Sequence, residues 1–291
     1  MHKVELPNRG TLAYEWTGTG PETAVLINGS VFNYHQWDKH ALPILQRELA
    51  GQCRFLQYDY IGVGGSSAKN APFNMFDLAD ELLALLDALS VDRVHLLGIS
   101  KGSLVGQAFL IQHPQRALSF CGLGNPYLSD QAQGPAGSEF SDRLEALETC
   151  KELWPQRINP QNYKTVFDRV YVPAIFGKEV AGLSLIERLR AFAVRRMVYP
   201  ALEGTYVQTM VDLFRYYVDG LSQEAPAFDA GLSRVKGIPI LLLNGTADTT
   251  TPPHMSCELA ELLPGAGNLL VSHCSIPFWI REMESRSPRF G

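Results

Sequence analysis

A chain of 291 residues, 46% hydrophobic and 19% charged, has enough apolar mass for one large core or for a core with an insertion. A net charge of −5 with no basic run argues against a nucleic-acid partner. No apolar run approaches the roughly 20 residues of a membrane span, and the amino-terminal MHKVELPNRG lacks the charged-then-apolar pattern of a signal peptide. Five cysteines, Cys53, Cys121, Cys150, Cys257 and Cys274, form no CxxC pair and read as reduced thiols of a cytoplasmic protein.

In chain order, strand patterns come first, at His2–Leu6, Thr11–Trp16, Thr23–Ile27 and Arg54–Tyr58. FNMFDLADELLALLDALS then repeats Phe76, Leu82, Leu83, Leu86 and Leu89 at helical spacing, with Asn74 before Asp77 as the helix start. Val94–Ile99 reads as a buried strand and Ser103–Gln112 as the helix after it; Leu118–Leu123 is the next strand. From about Tyr127 to Val235 strands give way to helical patterns, in FSDRLEALETCKELW, SLIERLRAFAVRRM and YVQTMVDLFRYYVDGL. Strands resume at Pro239–Asn244 and Asn268–Ser272. The order predicts an α/β chain with a mostly parallel, eight-stranded sheet flanked by helices. Residues 1–126 and 236–291 would form the core. Residues 127–235 would be a helical lid over the carboxyl ends of the strands, where ligands bind in open α/β sheets. A separate helical domain is the alternative.

The joint between the fifth strand and its helix carries chemistry. Gly98, Ser100 and Gly102 form G-x-S-x-G between a strand and a helix, the context a nucleophile elbow requires. Glycines on either side allow the sharp turn. The bland alternative is a helix-capping serine. A serine needs a base, and the base a carboxylate. In this architecture the acid and the histidine follow the serine in that order. Asp248 follows the strand IPILLLN, and His273 follows NLLVS. Asp130 is the second candidate acid. His95 is expected to point into the fold, and His113 to end a helix. His254 falls at a helix start, while His35 and His40 are near enough to the third strand to line a pocket. The loop VLINGSVF should supply an oxyanion donor, the Ser30 amide first and the Val31 amide as alternative, opposite the Lys101 amide. Asn28, Gly29, Val31 and the lid residue Tyr206 are candidate substrate contacts.

Together LINGS (26–30), YDYIGVGGSS (58–67), GISKG (98–102), NGTADTTTPP (244–253) and SHCSIPFW (272–279) resemble the α/β-hydrolase superfamily in order and spacing. The resemblance implies that fold and catalytic roles for Ser100, Asp248 and His273. The chain departs in carrying Asn28-Gly29 where most members have His-Gly, and Ser272 where glycine usually precedes the histidine. The Asn-Gly-Ser loop is similar to the subgroup of 3-hydroxyacyl-carrier-protein thioesterases or transacylases and of the synthase that makes the lipid precursor of rhamnolipids. Leu202–Leu221 resembles a lid helix of that subgroup, while Lys101 stands where the subgroup usually has Trp. That likeness implies a 3-hydroxyacyl thioester substrate and an acyl carrier protein partner.

The expected reaction is acyl transfer through an acyl-enzyme, with no metal or cofactor. The substrate is a small-molecule ester or thioester of a hydrophobic acyl group. A hydrolase, an acyltransferase on the same triad and a non-catalytic binding protein are the three classes to separate. Tyr163, Phe167, Tyr171, Phe176, Phe192, Tyr206, Phe214, Tyr216 and Tyr217 make the lid aromatic, most of them as packing. The Lys101 side chain is expected either to meet an anionic group or to be solvated or paired with a lid acid. Arg195 and Arg196 are either partner-binding or merely surface.

Overall fold

The computed structural model describes residues 1–39, 41–68, 74–133, 136–176, 179–248, 250–263 and 265–271. Eight strands are present: β1 (His2–Leu6), β2 (Gly10–Gly18), β3 (Glu22–Ile27), β4 (Cys53–Asp59), β5 (Val94–Ile99), β6 (Ala117–Leu123), β7 (Ile240–Gly245) and β8 (Gly267–Val271). They form one sheet in the order β1-β2-β4-β3-β5-β6-β7-β8. The β1–β2 and β2–β4 pairs are antiparallel, and every other pair is parallel. The inner strands are covered on both faces. β3 therefore reads ETAVLI, with everything after Glu22 buried, rather than alternating.

The helices are α1 (Ala41–Glu48), α2 (Met75–Ala88), α3 (Lys101–Gln112), α4 (Leu128–Gln133), α5 (Ala136–Glu148), α6 (Tyr163–Val166), α7 (Val172–Phe176), α8 (Leu185–Leu202), α9 (Val207–Arg215), α10 (Leu221–Leu232) and α11 (Pro253–Leu262). Asn74 caps α2, its side chain accepting from the Asp77 amide. α3 is buried from Lys101 to Leu110, as a helix covered on all sides must be. The main core packs on that face of the sheet. A smaller cluster of Ala24, Leu26, Trp37, Leu42 and Phe55 fills the other. That thinner cover leaves His95 half exposed, hydrogen-bonded to Ser119 Oγ at 2.8 Å and 3.7 Å from Glu22, instead of pointing into the fold.

The chain leaves β3 toward β4 on one side and returns to β5 on the other. The carboxyl ends of β3 and β5 therefore flank a topological switch point, where α/β sheets open a ligand crevice. Helices α4 to α10 all fall between β6 and β7. They meet the loops after β3 and β4 through a polar seam. Asn33 donates from its amide to Ala201 O (2.7 Å) and from Nδ2 to Pro200 O (2.9 Å) and Glu203 O (3.0 Å). Thr209 Oγ1 donates to Gly62 O (3.0 Å), and Arg157 donates to the Gly64 and Ser66 carbonyls. Five of the nine aromatic residues named above are buried, and Tyr171, Tyr206 and Phe176 are partly so. Phe192 is the exception and faces solvent. π turns at Phe167–Tyr171 and Tyr216–Gly220 interrupt the helices here, with Pro200 and Pro226 inside two of them.

Candidate active site

Ser100 sits between β5 and α3 at φ 51° and ψ −118°, a backbone geometry that strains any residue with a Cβ. Its side chain makes no capping bond, which removes the helix-cap reading. The flanking glycines are there because of close approach. A Cβ on Gly98 would press into the Gly102 backbone and stand 2.8 Å from the Ser103 amide. A Cβ on Gly102 would overlap the Ile27 carbonyl and stand 2.8 Å from Asn28 O. The elbow is thus packed directly against the end of β3. α3 begins at Lys101, two residues before the predicted start, which brings the positive end of its dipole to the serine.

The loop after β3 supplies the opposite wall. Ser30 lies at φ 38°. Neither its amide nor that of Val31 donates to a partner among the described residues. The Gly29 amide is already used, donating to Gln36 Oε1 at 2.8 Å. Asn28 is a correction to the expected substrate contact. Its Nδ2 donates to Tyr58 O and its Oδ1 accepts from Trp37 Nε1, both at 2.8 Å, with the residue buried. Its amide braces the loop from behind. Val31 is also buried, its carbonyl accepting from Thr205 Oγ1 at 3.1 Å. Tyr206 packs its ring against the Arg157 guanidinium, 4.2 Å away, at the seam.

Of the alternatives for Lys101, burial excludes the solvated one. Its side chain is 0% exposed, and Nζ stands 3.0 Å from the centroid of the Tyr60 ring. The Tyr60 hydroxyl donates to the Ser30 carbonyl. Burial holds that phenol well above its ordinary range, so it keeps its proton for the bond. Lys101 and Ser30, the two residues expected to hold an oxyanion with their amides, are therefore bracketed by one aromatic side chain.

Asp248 is 3% exposed and follows β7. Oδ1 accepts from the Thr250 and Thr251 amides, both at 2.9 Å. A buried chain of hydrogen bonds links its loop to the elbow helix. Ser103 Oγ donates to Asn125 Oδ1 (2.7 Å) and the Asn125 amide to Asn244 Oδ1 (2.9 Å). Asn244 Nδ2 donates to Thr251 O (2.6 Å). Asp130, the second candidate acid, instead faces His254 Nε2 at 3.1 Å on the surface. His113 is held by Asp80 at 2.8 Å. His35 pairs with Asp38 at 2.6 Å, and that hydrogen bond raises its pKa. His273, Ser272 and His40 lie outside the described residues.

Gln36, Tyr60, Asn125 and Asn244 escaped the sequence reading. Asn244 left a signal: a polar residue closing the apolar strand ILLLN must have a buried partner. Behind the loops, burial pushes the Asp59 carboxyl up to about 6, although it accepts from the Gly65 and Tyr34 amides at 2.8 Å each.

The model of the alpha/beta hydrolase fold family matches residues 24–275. The chain belongs to that family. Within it, the chain is 26% identical over 262 residues to rhodomycin D methylesterase of Streptomyces peucetius, covering 83% of this chain and 80% of that protein. Solved structures share the alpha/beta hydrolase fold over nearly the whole length. An esterase from Exiguobacterium antarcticum superposes with a TM-score of 0.71 at 16% identity, covering 97% of this chain and 95% of that one. A thermophilic esterase from Thermogutta terrifontis gives 0.69 at 18% identity, covering 98% and 95%.

Proposed function

We propose that the protein is a serine hydrolase that cleaves a small-molecule ester or thioester of an apolar acyl group. The observation that carries this reading is the strained, uncapped Ser100 at the carboxyl end of β5, packed against a loop whose Ser30 and Val31 amides donate to no partner among the described residues. In the proposed reaction His273 removes the Ser100 proton, and Oγ attacks the acyl carbonyl. The Ser30 and Lys101 amides hold the oxyanion, and Asp248 orients the imidazole and balances its charge. His273 then returns the proton to the leaving alcohol or thiol. Water resolves the acyl-enzyme through the same base. The helices between β6 and β7 act as the lid, with Val31 and Tyr206 at its inner seam. The relatives' names support ester chemistry: one is a methylesterase and two are esterases.

Transfer of the acyl group to another hydroxyl or thiol, from a 3-hydroxyacyl thioester, uses the same residues and differs only in excluding water. The burial of Lys101 and Val31 beside the crevice favours keeping that second reading.

A fluorophosphonate probe tests the nucleophile. Wild type should label at Ser100 and Ser100→Ala should not; labelling that survives the substitution would sink the assignment. Mass spectrometry of products from methyl esters and 3-hydroxyacyl thioesters then separates the chemistries. Free acid means hydrolysis, and a condensed or transferred acyl product means acyl transfer. An unlabelled wild type that still binds an ester ligand would mean a binding protein.

A further inference from the structure

Helix α8 carries an apolar face that the fold does not use. Ala191, Val194, Val198 and Leu202 turn inward. On the other side Leu185, Ile186, Leu189 and Phe192 stand 75%, 65%, 61% and 49% exposed. At 100° per residue, Leu185, Leu189, Phe192 and Arg196 fall within a strip about 60° wide and roughly 16 Å long. A capping box between Ser184 and Glu187 fixes the helix start, so the apolar residues of the first turn are held in helical register. Cations lie on and beside the strip. Arg196, on it, and Arg188 are exposed, with Arg188 also donating to Leu183 O and Ala181 O; the Arg195 and Arg196 guanidinium carbons lie 5.6 Å and 5.8 Å from the Phe192 ring centroid, Arg195 also standing 3.6 Å from Asp168. α8 carries Arg188, Arg190, Arg195 and Arg196 against Glu187, a net +3 on a chain of net −5.

We propose that this face docks on an anionic lipid–water interface. Apolar tips flanked by arginines match a surface that offers acyl chains below and phosphates above, and the long arginine stems reach the headgroups while the leucines and phenylalanine sit deeper. A protein partner needs about 800 Å² on each side, more than one strip of four side chains supplies. A symmetric second copy would bring arginine edges together. The rest of the acidic surface is repelled by anionic lipid, which leaves α8 as the face turned to it. No helix among the described residues is long and apolar enough to cross a membrane, so this is contact with the surface. The far end of α8 is tied by Pro200 and Ala201 to Asn33, three residues beyond Ser30. Docking therefore presents the crevice to the lipid and delivers substrates that partition there. That last clause rests on the proposed hydrolase; the docking itself does not.

Vesicle co-sedimentation tests it, using equimolar phosphatidylglycerol and phosphatidylcholine against phosphatidylcholine alone. Wild type and Ser100→Ala should both sediment with the anionic vesicles, and about 0.5 M salt should weaken the binding. Leu185→Ser/Leu189→Ser/Phe192→Ser should lose at least about tenfold in binding, while keeping its circular dichroism spectrum and its activity on a water-soluble short ester. Arg196→Glu should lower the preference for anionic vesicles. Binding unchanged in the triple variant, or absent from wild type, overturns the proposal. So does a wild-type dimer that the triple variant converts to monomer, or saturable binding of a purified acidic acyl carrier protein without vesicle binding. Because Ser100→Ala is carried alongside, failure of the catalytic reading and failure of docking give different results.

Discussion

The strands and the helical insertion reach the loops at the carboxyl end of the sheet by different means. On the strand side, hydrogen bonds continue past the last ladder pairs: the Ser100 amide donates to Leu123 O and the Gly124 amide to Leu243 O, both at 2.8 Å. The Ser103–Asn125–Asn244–Thr251 chain then carries that order to Asp248. On the insertion side, a few side chains grip loop carbonyls, and the helices behind them are broken by π turns and prolines. The difference teaches that strand register fixes the surroundings of Ser100 and Asp248, whereas the insertion is a layer that can vary without moving them. Substitutions that treat the two sides alike would break this contrast.

The largest expected effect is at Gly102. A Cβ there meets the backbone carbonyls of Ile27, the last residue of β3, and of Asn28 just after it, and backbone at the end of a central strand gives way little. Gly102→Ala should cost more than about 3 kcal/mol in denaturant unfolding and remove most activity. Gly220 in the insertion is the control. Its Cβ would meet the Tyr216 ring at 2.7 Å, a side chain rather than backbone, at φ −93°. Gly220→Ala should cost roughly 1–2 kcal/mol at most. Equal losses would mean the insertion is as rigid as the sheet.

Asp59 lies where the loops of the two sides meet, and its titration sharpens the contrast. Burial raises its pKa from an ordinary 3.8 to about 6, so the folded chain binds this proton more tightly than the unfolded chain. The stability it contributes is complete below pH 3.8 and is lost as pH rises through about 6. The shift is worth at most about 3 kcal/mol. The advantage of wild type over Asp59→Asn, read from urea midpoints, should shrink between pH 4 and pH 7. Parallel curves would remove Asp59 from the pH dependence.

What was legible follows the same division. All eight strands were readable because apolar runs bounded by polar turns leave little choice, and each observed boundary falls within two residues of its prediction. The elbow was legible because its two glycines answer a local steric demand, and the place of Asp248 because it comes three residues after the end of β7. The bracing of Asn28 by Tyr58 and Trp37 was not, since the three residues meet only after β3 and β4 pair. The burial of Lys101 was not legible for a related reason. A lysine in isolation reads as a surface group, and only the return of Tyr60 beside the elbow buries it. The exposure of Phe192 was not legible because helical periodicity tells which residues share a face, not which face meets the core.

Asn244→Ala tests the strand side more finely. It strips acceptor and donor from a buried network and should cost about 2 kcal/mol. Asp248 should be held less firmly, so kcat falls while KM changes little. Arg157→Ala, at the seam, should do the reverse and raise KM with a smaller change in kcat. The same split in both variants would dissolve the distinction between placing atoms and shaping substrate.

The smallest effect isolates strain from chemistry at Ser100. Its φ of 51° with ψ of −118° costs a Cβ-bearing residue on the order of 1–3 kcal/mol, and no side-chain cap offsets it. Ser100→Ala keeps the Cβ and therefore the strain, so its stability should match wild type. Ser100→Gly removes the strain but gains freedom in the unfolded chain, worth roughly 0.5–1 kcal/mol in the other direction. The net gain should be about 1 kcal/mol over both. Both variants should be inactive, so any difference between them in thermal midpoint reports backbone strain alone. A glycine variant no more stable than the alanine variant would mean that the elbow holds its serine without cost. The tight contacts at Gly98 and Gly102 would then be the whole reason for the glycines around it.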